Sequence, residues 1–286
     1  MEDRCIGLVG GQLLHESADG QSVFTDEMYP IPLKGGKLIG ISRESANSAL
    51  LILQPEGTVE IVDASMGAHQ IVIDDARPDL KGVTVTAVAT TEQMIAVATP
   101  ERVVVVTHSH KCCQPPTWLL IGRDKTTFLR FTPDRKRLLT GHASGRVNSV
   151  DIHMGLLSPI QHSNRVLVPA AADPQPSDRV VAAATLPDNQ VLVLTPTQLQ
   201  LWQPVDTKME ALAVKGPSGV GEFLDMVFLR RQLFVLCTHA VWHVCHRKRA
   251  DRAKLFRADG ARGWCIDVLG ILVKRANSTR LRRIYV

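Results

Sequence analysis

The segments EGTVEIVDASMG (Glu56–Gly67) and SGRVNSVDIHMG (Ser144–Gly155) agree at six of twelve positions: Gly, Val, Val, Asp, Met and Gly. Each opens on a glycine turn, runs as an alternating apolar and polar strand, and closes at Val-Asp before a second glycine turn. Self-similarity of this kind decides the architecture, because a repeat read as an ordinary domain mis-assigns the whole fold.

Relaxed to Val or Leu followed three residues later by a large apolar residue, the strand recurs along the chain. It begins at Val59, Val103, Val147, Leu199, Val241 and Leu281 and pairs these with Val62, Val106, Val150, Trp202, Val244 and Ile284. The intervals are 44, 44, 52, 42 and 40 residues, the period of a β-propeller blade. A more fully apolar run precedes each marker: LLIL from Leu50, MIAVA from Met94, RLLTG from Arg137, QVLVL from Gln190, LFVL from Leu233 and ILVK from Ile271. Before those lie KLIGI, VTVTAVA, TFLRF, VVAAA, FLDMVF and WCIDVL, which begin at Lys37, Val83, Thr127, Val180, Phe223 and Trp264. After the marker comes a mixed strand, such as HQIVI from His69, WLLI from Trp118, LLSPI from Leu156 or EALAV from Glu210. The gradient is that of a blade, whose inner strands touch neighbours on both faces while the outer strand meets water.

The expectation is an all-β chain of 286 residues forming one propeller domain of seven four-stranded blades. They lie near 1–35, 36–80, 81–123, 124–165, 178–215, 221–258 and 261–286, with an inter-blade loop at 166–177 rich in Pro, Ala and Asp. In the first 35 residues CIGLVGG, QLLHES, GQSVFTD and YPIPLK supply four short strands, with Asp19-Gly20 as the turn before the third. A six-blade alternative uses the N-terminal strand to complete the last blade. In the seven-blade register the last blade lacks its outer strand. TRLRRIYV (Thr279–Val286) is then an edge that Arg280, Arg282 and Arg283 either protect or offer to a partner's strand.

The segments LLILQPEGTVEIVDASMG, RLLTGHASGRVNSVDIHMG and VLVLTPTQLQLWQPVDT resemble the second strand, turn and third strand of WD40 repeats. Trp202 stands where that family often has its Trp, and Asp63 and Asp151 where it often has its Asp. No Trp-Asp dipeptide occurs, and Gly141-His142 is read as a turn after a second strand rather than the Gly-His pair before an inner one. The resemblance implies a divergent propeller that presents loops and a channel mouth to other proteins, without catalysis.

Composition agrees with a packed domain: 45% of residues are hydrophobic, 21% charged, and no apolar run reaches the roughly 18 residues of a spanning helix. The acidic start Met1-Glu2-Asp3 resembles neither a secretory nor a mitochondrial leader, which leads to a cytoplasmic or nuclear expectation, with the six cysteines as reduced thiols. The net charge of +5 is uneven. From His246 onward 12 Lys and Arg face three Asp, so the preceding part is slightly acidic.

HRKRADRAKLFR concentrates this charge in Arg247, Lys248, Arg249, Arg252, Lys254 and Arg257, a candidate phosphate-contacting stretch for RNA or another polyanion. FLRR (Phe228–Arg231) lacks the glycine of the Phe-Arg-Arg-Gly lipid motif. GPSGVGEF (Gly216–Phe223) has the glycine spacing of a phosphate loop but places Glu222 and Phe223 where Lys and a hydroxyl are required, so it reads as a turn.

Two groups of potential metal ligands, His108/His110/Cys112/Cys113 and Cys237/His239/His243/Cys245/His246, lack the paired spacing of structural zinc sites. No nucleophile elbow is present, and Asp225 and Asp267 on inner strands are the remaining acidic candidates. The expectation is therefore a protein with no catalytic residue, cofactor or metal, acting as an interaction scaffold within a larger complex. The alternative is a subunit of a ribonucleoprotein assembly that contacts RNA through its basic C-terminal blades.

Overall fold

The computed structural model is built almost wholly of β-strands. It describes residues 4–9, 12–17, 22–25, 30–31, 33, 35–42, 49–55, 59–63, 70–73, 84–91, 94–107, 117–119, 124–154, 159–205, 208–214, 216–229, 232–244, 254–257, 264–267, 270–274 and 281–285. Among these, 27 strands pair antiparallel into seven separate sheets in chain order.

The first sheet holds β1 (Arg4–Val9), β2 (Gln12–Glu16), β3 (Val23–Thr25) and β4 (Pro30–Ile31), and the second β5 (Lys37–Ser42), β6 (Ala49–Leu53), β7 (Val59–Asp63) and β8 (Gln70–Ile73). The third comprises β9 (Ala87–Thr90), β10 (Met94–Ala98), β11 (Val103–Thr107) and β12 (Thr117–Leu119), and the fourth β13 (Thr126–Phe131), β14 (Arg137–His142), β15 (Val147–Met154) and β16 (Pro159–Val168). The fifth is β17 (Ala182–Thr185), β18 (Val191–Leu194), β19 (Leu199–Val205) and β20 (Lys208–Val214). The sixth is β21 (Phe223–Leu229), β22 (Gln232–Cys237), β23 (Ala240–Val244) and β24 (Lys254–Arg257), and the seventh β25 (Trp264–Asp267), β26 (Gly270–Lys274) and β27 (Leu281–Tyr285). Strand order follows chain order in every sheet.

The marker residues Val59, Val103, Val147, Leu199 and Leu281 each open the third strand of a sheet, and Val241 is the second residue of its own. First strands neighbour one another, β5 with β9, β9 with β13, β13 with β17 and β17 with β21, and β1 lies against β25. Four of them, β1, β5, β13 and β21, carry a one-residue register shift near the start, at Cys5/Gly7, Leu38/Gly40, Thr126/Phe128 and Phe223/Asp225. Such bulges increase local twist, and their recurrence is a second mark of the repeat.

The continuous apolar runs have a direct cause in the packing. Along β10, Ile95 and Val97 pack with Leu51 and Val59 of the second sheet, while Met94, Ala96 and Ala98 pack with Leu129, Phe131 and Leu138 of the fourth. Alternate residues therefore meet two different neighbours, and both sets must be apolar. A third cluster joins Phe128, Leu139 and Val147 to Val191–Leu194 and onward to Phe223, Met226 and Trp242.

Three expectations change. The outer strand of the fourth sheet takes in the end of LLSPI at Pro159-Ile160 and runs on to Val168, into the stretch read as a loop from residue 166, because Val168 pairs with Val147 and is buried there. Gly141 and His142 end β14 rather than forming a turn. A Cβ at Gly141 would collide with the Val180 side chain, so only glycine fits that close approach. Of the run from Val83, residues 87–89 lie in β9, and the described residues before them, 84–86, precede the strand.

Candidate functional site

Polar groups gather at two places near the first strands. On β13, Phe128 and Arg130 alternate onto one face, and the Arg130 guanidinium carbon lies 5.2 Å from the Phe128 ring centroid. The intervening β17 is Ala-Ala-Ala-Thr, so nothing bulky blocks Arg130 from reaching the sixth sheet. There its Nη2 donates to Met226 O at 3.3 Å and stands 3.6 Å from Asp225 Oδ1. The Asp225 carboxylate also accepts from the Met226 amide at 2.8 Å. Leu224 and Phe228 of the same strand remain exposed. One arginine thus ties the first strands of the fourth and sixth sheets across the fifth. With both side chains partly solvated, such a pair contributes no more than about 1 kcal/mol.

The second place is a buried network at the end of the fourth sheet. His142 is wholly buried, with Nδ1 3.2 Å from Asp124 O and Nε2 3.0 Å from Thr140 Oγ1. A carbonyl can only accept, so Nδ1 carries the proton and Nε2 accepts from the Thr140 hydroxyl. Burial, reinforced by the Arg146 cation, pushes the His142 pKa down to about 4, and the ring is neutral. Arg146 stands 4.0 Å from Asp124, whose carboxylate accepts from Ser144. The segment before β17 is pinned here as well: the Val180 amide donates to His142 O at 3.0 Å and the Ala171 amide to Ser144 O at 2.9 Å. This network fastens one sheet to the next and has the character of a structural lock.

Of the residues read as polyanion contacts, Lys254 and Arg257 are the two ends of β24, the outermost strand of the sixth sheet, while Arg247, Lys248, Arg249 and Arg252 lie outside the described residues. Arg282 and Arg283 lie in β27, opposite Val273 and Leu272, and Arg280 lies outside the described residues. Arg230 and Arg231 of the FLRR segment are likewise outside them.

The glycine-rich stretch is the turn the sequence suggests. Gly219 and Gly221 have φ of +73° and +77°, Val220 is buried, and Phe223 packs on Trp242 with ring centroids 6.0 Å apart. In the second metal candidate Cys237 is buried, and desolvation pushes its thiol up to about 12. His239 is exposed and His243 stacks on Phe234 at 4.6 Å, while Cys245 and His246 lie outside the described residues. The first candidate, from His108 to Cys113, also lies outside them. Asp225 belongs to the Arg130 bridge.

Sequence reading missed Arg130, because nothing local marks a partner 95 positions away. A legible signal did exist for another device. Thr99-Pro100, Thr132-Pro133 and Thr195-Pro196 each end a strand with a threonine whose amide and hydroxyl close the hairpin, onto Arg102, Arg137 and Gln198.

No family model matches the chain, and no curated protein matches it. Solved structures do. PorZ, a surface component of the type-IX secretion system of Porphyromonas gingivalis, aligns with a TM-score of 0.61 at 10% identity over 96% of this chain, which spans 36% of the PorZ chain. A catalytically inactive virginiamycin B lyase from Staphylococcus aureus with quinupristin aligns at 0.58 and 11% identity, over 96% of this chain and 92% of the other. The β-propeller domain of Cps50 (Swd1) from Myceliophteria thermophila aligns at 0.51 and 13%, over 85% and 82%. At such identities a shared fold says nothing about a shared activity. Together with the all-β sheets, the likeness assigns a β-propeller fold to this chain.

Proposed function

We propose that the chain is a closed, seven-bladed, WD40-like propeller that serves as a non-enzymatic interaction scaffold, a subunit of a multi-protein complex in the cytoplasm or nucleus. Closure is supported by β1 lying against β25, and the blade number by seven consecutive sheets. One observation carries the scaffold reading. Six sheets have four strands each and the seventh three, and among the described residues no strand pairs with the outer edge of β27. An edge of this kind accepts a partner's strand by main-chain pairing, and Arg280, Arg282 and Arg283 favour an acidic one. Affinity purification with crosslinking from cells should recover protein partners in stoichiometric amounts. Deleting Arg280–Val286 should release at least one of them, and retention of every partner overturns the edge reading.

The placement of Lys254 and Arg257 on the outermost strand of the sixth sheet favours a second reading, contact with RNA or another polyanion. Changing Arg247, Lys248, Arg249 and Arg252 together to Glu should abolish binding of a single-stranded RNA oligonucleotide and leave protein partners bound. Unchanged RNA binding sinks this second reading.

A further inference from the structure

The outermost strands differ in how their free edges are shielded. β4 contains Pro30, β12 has three residues and β8 four. β24 carries Lys254 and Arg257, and β16 carries Arg165 and pairs with β15 through two register shifts. Proline, short length, charge and bulges are the usual protections of a sheet edge. In contrast, β20 (Lys208–Val214) is seven residues long and pairs with β19 in unbroken register from Leu199↔Val214 to Val205↔Lys208. Its only charges are Lys208 and Glu210. Ala211, Leu212 and Ala213 are exposed, Leu212 at 57%. Among the described residues no strand pairs with its outer edge.

We propose that β20 is a docking edge for an extended segment of a partner protein, which pairs antiparallel with it as a fifth strand. Side chains alternate along a strand, so Lys208, Glu210 and Leu212 share one face and Met209, Ala211 and Ala213 the other. Residues directly opposite one another across an antiparallel pair interact most strongly. The matching segment, read from its N-terminus, therefore has an apolar residue opposite Leu212, a basic one two positions on opposite Glu210, and an acidic one two further on opposite Lys208. Ala211 and Ala213 leave room on the other face for bulky β-branched side chains. This deepens the scaffold reading at a different edge, on the fifth sheet rather than the seventh, and stands whether or not β27 binds anything.

The probe is the synthetic peptide Thr-Val-Leu-Val-Lys-Thr-Glu with blocked ends, compared with one in which Lys and Glu are exchanged. Added to the full chain, the first peptide should slow hydrogen exchange at alternate amides of β20 and bind about fivefold more tightly than the second. In the variant carrying Lys208→Glu and Glu210→Lys the preference should invert. Leu212→Lys should weaken the first peptide about tenfold while leaving the thermal midpoint unchanged, since Leu212 is mostly solvated. No slowing of exchange at millimolar peptide, or equal binding of both peptides to both proteins, overturns the proposal. Loss of partners on deleting Arg280–Val286 with no peptide effect here would retain the scaffold and remove this edge from it.

Discussion

Where the fourth sheet buries Thr126, Thr140, His142, Asn148 and Ser149, its neighbour the fifth buries Ala182, Ala183 and the run Val191–Leu194, with Thr195 at its turn. Both have the same strand order and face each other across one apolar cluster. The fourth is held partly by directional bonds among groups that would be costly to leave unpaired. The interior of the fifth is filled by packed apolar side chains, and its directional bonds lie at its turns and margins. A polar network fixes one arrangement and answers to pH, whereas a packed layer of alanine and branched aliphatics answers to the loss of methyl groups. The Arg130 bridge depends on this contrast, because the small side chains of β17 are what let an arginine of the fourth sheet pass to the sixth.

The largest effect should fall on the packed side. Leu194 is fully buried in the cluster joining the fourth, fifth and sixth sheets. Leu194→Ala should lower stability by about 2–5 kcal/mol, from lost transfer energy and the cavity left behind. Urea unfolding followed by circular dichroism measures it. A loss under about 1 kcal/mol would mean that the fifth sheet relaxes into the space, and that packing is not what distinguishes it.

The polar side should show itself in acid. His142 has a folded pKa of about 4 against the ordinary 6.5, so its contribution is fully present above pH 6.5. Between those values the unfolded chain takes up a proton that the folded chain refuses, and stability is lost as pH falls through that window. At about 1.4 kcal/mol per pH unit the loss totals roughly 3 kcal/mol. His142→Gln should be less stable at pH 7 yet flatter from pH 6.5 to 4, by about one proton in the linkage slope. Parallel curves for the two proteins would remove His142 as the source.

How much of this contrast was legible follows from the range of each interaction. The strand runs and their period are local, and Val59, Val103, Val147, Leu199 and Leu281 each open the third strand of a sheet as the repeat requires. The continuous apolar runs likewise revealed inner strands, because burial on two faces leaves a mark on every residue. Sequence alone reads Gly141-His142 as a turn because it follows the apolar run of a second strand. The burial of His142 depends on Asp124, 18 positions earlier, and on Thr140 beneath it. Arg130 and Asp225 belong to different repeats, and no pattern within one repeat joins them. The end of β16 was lost because Val166, Leu167 and Val168 precede a proline-rich segment, and composition assigned all of it to the loop.

The smallest effect separates two turns that share a Thr-Pro opening. In the fifth sheet the Thr195 hydroxyl accepts from the Gln198 amide at 3.2 Å, with no ionisable group involved. In the fourth, the Thr132 hydroxyl accepts from the Arg137 amide at 3.1 Å and also donates to the Asp134 carboxylate. That hydrogen bond is the main reason the Asp134 carboxyl lies below its ordinary pKa, with the Lys136 amide and the Arg137 and Lys136 charges adding to it. Each of Thr195→Val and Thr132→Val should cost about 1 kcal/mol at pH 7. A carboxylate with a lowered folded pKa stabilises above its unfolded pKa, and the contribution is lost as pH falls through the folded one. The cost of Thr132→Val should therefore shrink as pH falls below the ordinary 3.8 of the carboxyl, while that of Thr195→Val stays level. Paired urea melts at pH 7 and pH 3, each variant against the parent at the same pH, cancel the background titration of His142. Equal pH dependence of the two costs would show that the Thr132 bond to Asp134 adds nothing to the turn, leaving both hairpins closed by threonine in the same way.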